Sequence, residues 1–339
     1  MRHPARLGIA ALALTLTAVG CSSDGEGSED GTGDKAAAHR TTVTSCGRTL
    51  AFDKAPERAV ALDQSSTEVL LALGLQDRMA GTSNLKTKIA PEYAKAYDQV
   101  KVLSPKILTS EQLRAATPDF TLGGFTDYFT KDRVGTREEL ARLGLPSFVS
   151  AVDCPKQNGT GKTPFELLFK DYADVGRIFG VEKRAAELVR QQRATLAEAA
   201  KTKEKVRGEP SVVWVYSVYG DTPYVAGGTA IPSEMSRIVG AKNAFDDIDE
   251  DWPQVTWEEV AKREPDFLVI GDLSERGKPG DSAADKLRAI RANPVMAKLP
   301  AVREKRVVEI PGTEMDPSVR TSKALPRLVA GMRDLGYVR

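Results

Sequence analysis

The chain has 339 residues, with 48 Lys and Arg against 47 Asp and Glu, a formal net charge of +1, 41% hydrophobic residues and 28% charged ones. That is a globular mixture long enough for two hydrophobic cores of ~150 residues each, and its neutrality argues against a nucleic-acid binder, which carries a clear basic excess. The only histidines are His3 and His39, both ahead of the expected folded part. This excludes histidine acid–base catalysis, Ser-His-Asp and Cys-His nucleophiles and His-ligated zinc.

Arg2 and Arg6 precede an apolar run from Leu7 to Gly20. The run is shorter than the ~20 residues of a spanning helix and reads as a secretory signal over residues 1–20. Its end, Ala18-Val19-Gly20-Cys21, resembles a bacterial lipobox with Ala18 in place of the usual leucine. The resemblance implies cleavage before Cys21 and acylation of that residue, a stable anchor at ~0.8 kcal/mol per buried CH₂. Residues 21–40 are dominated by Gly, Ser, Asp, Glu and Ala, too polar to bury a core, and read as a flexible leash. No later segment is apolar enough to span a bilayer. The expected location is extracytoplasmic, tied to the outer face of the cell membrane. Cys46 and Cys154 remain, and in an exported chain they read as a disulfide. It would close a loop of 154 − 46 = 108 residues, roughly 4–5 kcal/mol in the chain-entropy model.

From Arg58 the pattern alternates. Strands are predicted at Ala59–Leu62, Arg78–Gly81, Val100–Leu103, Phe120–Leu122 and Phe148–Ala151. Helices are predicted at Ser66–Leu73 (ended by Gly74), Glu111–Ala116 and Arg137–Leu143 (ended by Gly144). Residues 165–206 are strongly helical, interrupted by Gly176 and Gly180, with Leu167, Leu168, Tyr172, Val175 and Ile178 on one side. This much helix joins two alternating halves. After Pro210 strands are predicted at Ser211–Tyr216, Phe267–Ile270 and Val307–Ile310. The helices between and after them are Pro232–Val239, Thr256–Arg263, Ala284–Arg291 and Thr321–Leu335. The fold class is α/β: two lobes, each a mostly parallel sheet flanked by helices, bridged by one long α-helix. The boundaries are 41–163 for the N-terminal lobe, 164–207 for the connecting helical segment and 208–339 for the C-terminal lobe.

The two halves share a repeat. Thr109-Ser110-Glu111-Gln112 leads to Pro118-Asp119-Phe120, and Thr256-Trp257-Glu258-Glu259 to Pro265-Asp266-Phe267, with Glu seven residues ahead of Pro each time. Each Thr has Gln or Glu three residues on, a capping box. Glu111 and Glu258 then fall in a first helical turn, favoured by the helix dipole and facing solvent.

These residues, with Pro56-Glu57-Arg58, Thr67-Glu68-Val69-Leu70 through Leu73-Gly74, Gly240-Ala241-Lys242-Asn243 and Trp252-Pro253-Gln254-Val255, resemble one family. It is the substrate-binding lipoproteins of bacterial ABC importers, in the cluster for ferric siderophores, haem and cobalamin (class III, helical-backbone type). The resemblance covers about residues 56–336. It implies ligand held in a cleft between two lobes, and one exposed glutamate per lobe docking onto arginines of the permease; the matching positions are Glu111 and Glu258. The partners implied are that permease, a small-molecule metal chelate and a lipid anchor. The chain is expected to be a monomer and not an enzyme, with no cofactor and no metal site of its own.

In open α/β lobes ligands sit outside the carboxyl ends of the strands. The strand exits offer Gln64, Ser65, Ser66, Asn84, Gly123, Gly124, Phe125 and Tyr128 in the first half. In the second they offer Tyr216, Tyr219, Tyr224, Trp252, Pro253, Asp272, Met315 and Arg320. The set is aromatic and polar, suited to a bulky amphipathic chelate, with Arg320 able to meet hydroxamate, carboxylate or catecholate oxygens bidentately. A ferric siderophore brings its own metal ligands, which fits a fold without histidine. Cobalamin does too, helped by Trp252-Pro253-Gln254, and haem would need a tyrosine such as Tyr128 or Tyr219. Glu314, Asp316 and Asp272 beside Arg320 favour a hydroxamate or carboxylate chelate over a tris-catecholate. The Asp246–Asp251 run lacks EF-hand spacing and reads as a solvated loop rather than a Ca²⁺ site. The competing classes are an exported enzyme, for which no paired-carboxylate or nucleophile motif stands out, and a signalling or adhesion module on the same fold.

Overall fold

The computed structural model describes residues 40–158 and 161–339. The expected signal peptide, the lipidated Cys21 and the leash up to His39 lie outside the described residues. Among these no helix is long and apolar enough to cross a membrane.

A hairpin of β1 (Thr41–Ser45) and β2 (Arg48–Phe52) opens the described chain. The first alternation is β3 (Ala59–Ala61), α1 (Gln64–Ala72), β4 (Met79–Ser83), α2 (Ala94–Tyr97), β5 (Val102–Ser104), α3 (Ser110–Ala115), β6 (Phe120–Gly123), α4 (Arg137–Arg142) and β7 (Ser147–Val149). Its sheet runs β5-β4-β3-β6-β7, all parallel. Short, wholly apolar runs such as Ala59-Val60-Ala61, fully buried, are what a parallel sheet covered on both faces requires.

The second alternation follows the connector, α5 (Pro164–Phe179) and α6 (Glu182–Ala200). It is β8 (Ser211–Tyr219), β9 (Thr222–Val225), α7 (Ile231–Val239), β10 (Lys242–Asn243), α8 (Trp257–Lys262), β11 (Phe267–Asp272), α9 (Ala283–Ala292), α10 (Pro300–Arg303), β12 (Val307–Pro311) and α11 (Ala324–Asp334). Its sheet runs β10-β8-β11-β12 in parallel, with β9 antiparallel on β8. Periodicity missed β9. Gly220, at φ +60°, lets the chain reverse in two residues after Tyr219 and carries β8 past its predicted end at Tyr216.

The connector is two packed helices rather than one rod. Gly180 ends α5 in the left-handed conformation, φ 68°, a backbone most side chains disfavour. Gly176 stays helical, but a Cβ there would lie 2.5 Å from the Ala185 Cβ, so its bareness is what lets α6 fold back on α5. The predicted stripe of Leu167, Leu168, Tyr172, Val175 and Ile178 is buried. It shares one continuous core with Phe120 and Phe148 of the first sheet, Trp214 and Phe267 of the second, and Met235 of α7. The opposite face of each sheet has its own smaller cluster.

Cys46 and Cys154 form the expected disulfide, with Cα atoms 5.6 Å apart. Beside it the Ser45 hydroxyl accepts from the Val149 amide at 2.8 Å and donates to the Val149 carbonyl at 2.9 Å, so the hairpin is fastened to the β7 edge. The repeat is also real in space. Thr109 and Thr256 each cap a six-residue helix through a full capping box. Each helix then leaves through a left-handed residue, Thr117 at φ 44° and Glu264 at φ 46°. The Asp119 carboxylate accepts from the Glu57 and Arg58 amides at 2.8 and 2.9 Å, and Asp266 from the Ser211 amide at 2.8 Å. In both lobes the Asp of Pro-Asp-Phe thus caps the start of the neighbouring strand.

Candidate functional site

The exits of β3, β4 and β6 are tied together by buried polar groups. Asp63 is the N-cap of α1, and its carboxylate accepts from the Ser66 amide at 2.8 Å and the Gly124 amide at 2.6 Å. Burial pushes this carboxyl up against those bonds. Gln64 is buried and accepts from the Lys86 and Thr87 amides at 3.0 and 3.1 Å. It shapes the 84–88 loop rather than opening toward the cleft. Asn84, left-handed at φ 53°, donates to the Tyr128 hydroxyl at 3.3 Å.

That loop sends Lys86 across to the second lobe. Its Nζ stands 2.8 Å from the Tyr216 hydroxyl and 2.9 Å from the Asp316 carboxylate. It also lies 5.6 Å from the Phe125 ring centre and 5.3 Å from that of Tyr216. The ammonium is therefore caged by two aromatic faces and a buried carboxylate, where cation–π attraction and a charge-assisted bond act together. Burial opposes the charge on Lys86, but Asp316 outweighs it and holds the group well above its ordinary value. Burial, reinforced by Asp316, raises Tyr216 and keeps its phenol protonated. Tyr216 packs on Trp252 with ring centres 4.8 Å apart. Trp252 is held there because the Asp251 and Pro253 carbonyls accept from the Gly227 and Val225 amides at 2.9 and 3.2 Å.

Phe125, Tyr128 and Trp252 line a cavity of about 380 Å³ between the lobes, with Asp127, Arg133, Asp153 and Asp251. Ligand pockets usually span roughly 300–1,000 Å³. A second, of about 350 Å³, adjoins it through Asp153 and Asp251 and adds Lys156 and Asp249. Both are predominantly acidic. Burial, together with Asp251 and Asp127, pushes Asp153 up to about 6.

Among the predicted site residues, Asn84, Phe125, Tyr128, Tyr216 and Trp252 are brought together around this cage and cavity. Others lie elsewhere. Met315 is fully buried in the core, its Sδ packed over Gly271. Tyr219 is 48% exposed at the β8–β9 turn, edge-on to Tyr224 at 5.3 Å. Ser65 lines a void of about 30 Å³ with Asp171, Tyr172 and Pro317, and Gly124 is spent on Asp63. Arg320 is committed across the lobes: its Nε donates to Glu68 at 2.7 Å, and its second nitrogen to Glu68 and to the Lys88 carbonyl at 2.6 Å. Asp272 caps the following turn through the Ser274 and Ala283 amides at 3.1 and 3.0 Å. The Asp246–Asp251 carboxylates spread to Arg237, Arg263 and Lys156. Among the described residues no group of three or more His, Cys, Asp and Glu could hold a metal ion.

Lys86 and Glu68 are not among the predicted site residues, yet both make contacts between the lobes. Lys86 lies two residues past Asn84, so the strand-exit rule that chose Asn84 could have reached it. Glu68 sits in a helix that reads as amphipathic, and its burial is explained by partners distant in sequence, Arg320 and the Ala90 amide, beside Gln64 of its own helix. Glu111 and Glu258 are both exposed, each at the second position of its capped helix.

A family model described as periplasmic binding protein matches residues 60–313. Over 337 residues, 99% of this chain and 96% of the relative, the chain is 23% identical to the uncharacterized ABC transporter substrate-binding lipoprotein YvrC of Bacillus subtilis. Over 224 residues, 64% of this chain and 70% of the relative, it is 27% identical to the vitamin B12-binding protein of Yersinia pestis. A solved structure described as an ABC-type Fe3+-hydroxamate transport system from Saccharomonospora viridis matches with a TM-score of 0.72 and 27% identity, covering 86% of this chain and 98% of that one. With the family model spanning most of both lobes, the chain belongs to the periplasmic binding protein family, the substrate-binding proteins of ABC importers that its motifs resemble.

Proposed function

We propose that the protein captures a ferric siderophore of the hydroxamate type between its lobes and hands it to an ABC permease. The observation that carries this reading is the wall of the inter-lobe cavity. Phe125, Tyr128 and Trp252 offer apolar faces, while Asp127, Asp153 and Asp251 outnumber the single Arg133. A tris-catecholate or polycarboxylate chelate would bring several negative charges against those carboxylates. A ferric trihydroxamate is neutral at its iron centre, supplies all six metal ligands and presents an amphipathic surface that the aromatics can cover. Capture at micromolar to nanomolar levels needs roughly −8 to −12 kcal/mol.

Glu111 and Glu258 are the permease contacts in this reading, each worth ~1.5–3 kcal/mol if paired with an arginine. Their support is the matched geometry of the two capped helices. Cys21 is the anchor, lipidated and joined to the lobes by residues 22–40. The 27% identity to a vitamin B12-binding protein and the Trp252-Pro253 segment at the cavity favour cobalamin as the second reading.

Tryptophan fluorescence tests the proposal. Trp214 and Trp257 are buried, whereas Trp252 lines the cavity. A ferric trihydroxamate should quench wild-type emission at sub-micromolar concentration, and the Trp252→Phe variant should lose that quenching. Tighter binding of cyanocobalamin than of any ferric chelate would move the assignment to the second reading. Binding of neither would refute both.

A further inference from the structure

We propose that the cage of Phe125, Tyr216 and Asp316 is a recognition site for an alkylammonium group of the captured chelate, and that Lys86 is its intramolecular stand-in. The proposal rests on the siderophore reading and names the ligand more narrowly: a ferric trihydroxamate that carries a primary amine.

Three features of the cleft point this way. The cage is built as a receptor for a cation on a chain, with the Lys86 ammonium 2.9 Å from the Asp316 carboxylate, 2.8 Å from the Tyr216 hydroxyl and within 5.6 Å of two ring centres. The side chain of Asp316 is only 4% exposed, so it needs a positive partner whenever it is covered. The cage also opens on the ligand cavity, sharing Phe125 with it, and Trp252 of the cavity wall stacks on Tyr216. That cavity is acidic, and its one arginine, Arg133, already faces Asp127 at 3.8 Å. In this proposal a chelate settling between the lobes competes with the Lys86 bridge, which joins the two lobes beside the cavity at Phe125. A ligand ammonium entering the cage keeps Asp316 neutralised, and Lys86 is freed toward the loop it comes from. A neutral chelate leaves Asp316 dependent on Lys86 and binds against it.

The test compares a linear ferric trihydroxamate bearing a terminal primary amine with its N-acetyl derivative, read by tryptophan quenching. Wild type should prefer the amine about tenfold, the scale of one buried cation–π and carboxylate contact. Lys86→Met should widen the preference at least about fivefold by removing the competitor, and Asp316→Asn should bring it close to one. A Lys86→Met variant that binds both chelates more weakly would overturn the proposal, because Lys86 would then be a contact to ligand oxygens. If neither chelate binds wild type, the siderophore reading fails and the cage is read separately. Millimolar n-butylammonium should then restore the melting temperature lost in Lys86→Ala, and do nothing in Lys86→Met with Asp316→Asn. Absence of that rescue overturns the cage.

Discussion

Removing the Arg320 side chain should expose how much one buried pair holds between the lobes. Glu68 lies on α1 and is fully buried, and its carboxylate meets the Arg320 guanidinium through two nitrogens. The Arg320 side chain is itself only 13% exposed, so solvent screens the pair little. Deleting one partner of such a pair costs ~3–5 kcal/mol, because the other charge stays buried. In Arg320→Ala, Glu68 keeps two neutral donors, the Gln64 amide at 2.8 Å and the Ala90 N–H at 3.1 Å. They place the loss at the lower end, ~3 kcal/mol, or a fall of roughly 6 °C in melting temperature for a chain of this size. Adding Glu68→Gln removes the stranded charge and should restore about half of it, so the coupling in the double-mutant cycle is about 1.5 kcal/mol plus the loss that Glu68→Gln causes alone. Thermal unfolding followed by circular dichroism at pH 7 reads all four proteins. A melting temperature within about 1 °C of wild type for Arg320→Ala, or strictly additive losses, would refute the assignment of this pair as a structural tie.

Replacing Glu111 and Glu258 together by Ala should leave chelate quenching unchanged and abolish uptake in cells; undiminished uptake rules out the docking role. Before reduction neither Cys46 nor Cys154 should react with a thiol reagent, and reduction should lower stability by ~4–5 kcal/mol in denaturant titration, from a loop of 108 residues. Burial, against bonds from Ser150 and Ala151, raises the Asp171 carboxyl to about 7, from ~3.9 in the unfolded chain. A raised folded value means the group's contribution is intact below ~pH 4 and is lost as pH climbs through about 7. Asp171→Asn should therefore gain on wild type steadily between those limits, by up to ~4 kcal/mol. A stability difference that stays flat with pH contradicts that placement.

Local physics made most of the fold legible. Runs such as Val212-Val213-Trp214-Val215, β-branched and aromatic, read as buried strands, and the Thr-x-x-Gln and Thr-x-x-Glu boxes marked α3 and α8 to within a residue. The Pro-Asp-Phe repeat went further, since its aspartates turned out to cap equivalent strands. What failed was the geometry that local pattern does not encode. Gly176 and Gly180 both read as interruptions of the helix, but only Gly180 ends it, and the close approach of a bare Gly176 to Ala185 that folds α6 onto α5 is a tertiary contact. The strand-exit rule led to Phe125, Tyr128, Tyr216 and Trp252, which the fold gathers around one cage and cavity between the lobes, because a short residue count from the strand end fixes position. It did not foresee how Arg320 and Met315 are engaged inside the protein, because direction depends on partners more than 40 residues away: Glu68 for one, Gly271 for the other.

The contacts between the lobes differ in strength around the cleft, from a shared buried core to exposed ion pairs such as Lys323–Glu92. Behind the cleft the lobes share a core through α5 and α6, where each fully buried Leu, Val or Phe contributes ~1.5–3 kcal/mol. Beside it stands the Glu68–Arg320 pair, almost closed to water. Next comes Lys86–Asp316, with the lysine 20% exposed and the carboxylate 4%, held by charge yet movable at one end. On the side of the acidic cavities the only ion pair between the lobes among the described residues is Lys156–Asp249, with its partners 80% and 68% exposed. Such pairs are worth ~0–1 kcal/mol and are screened by salt. Parting the lobes on that side costs little and leaves the shared core intact, whereas parting them at Glu68 would strand a buried charge. The same side carries two inter-lobe cavities and the Trp252 face, so the weakest seam and the open space between the lobes coincide.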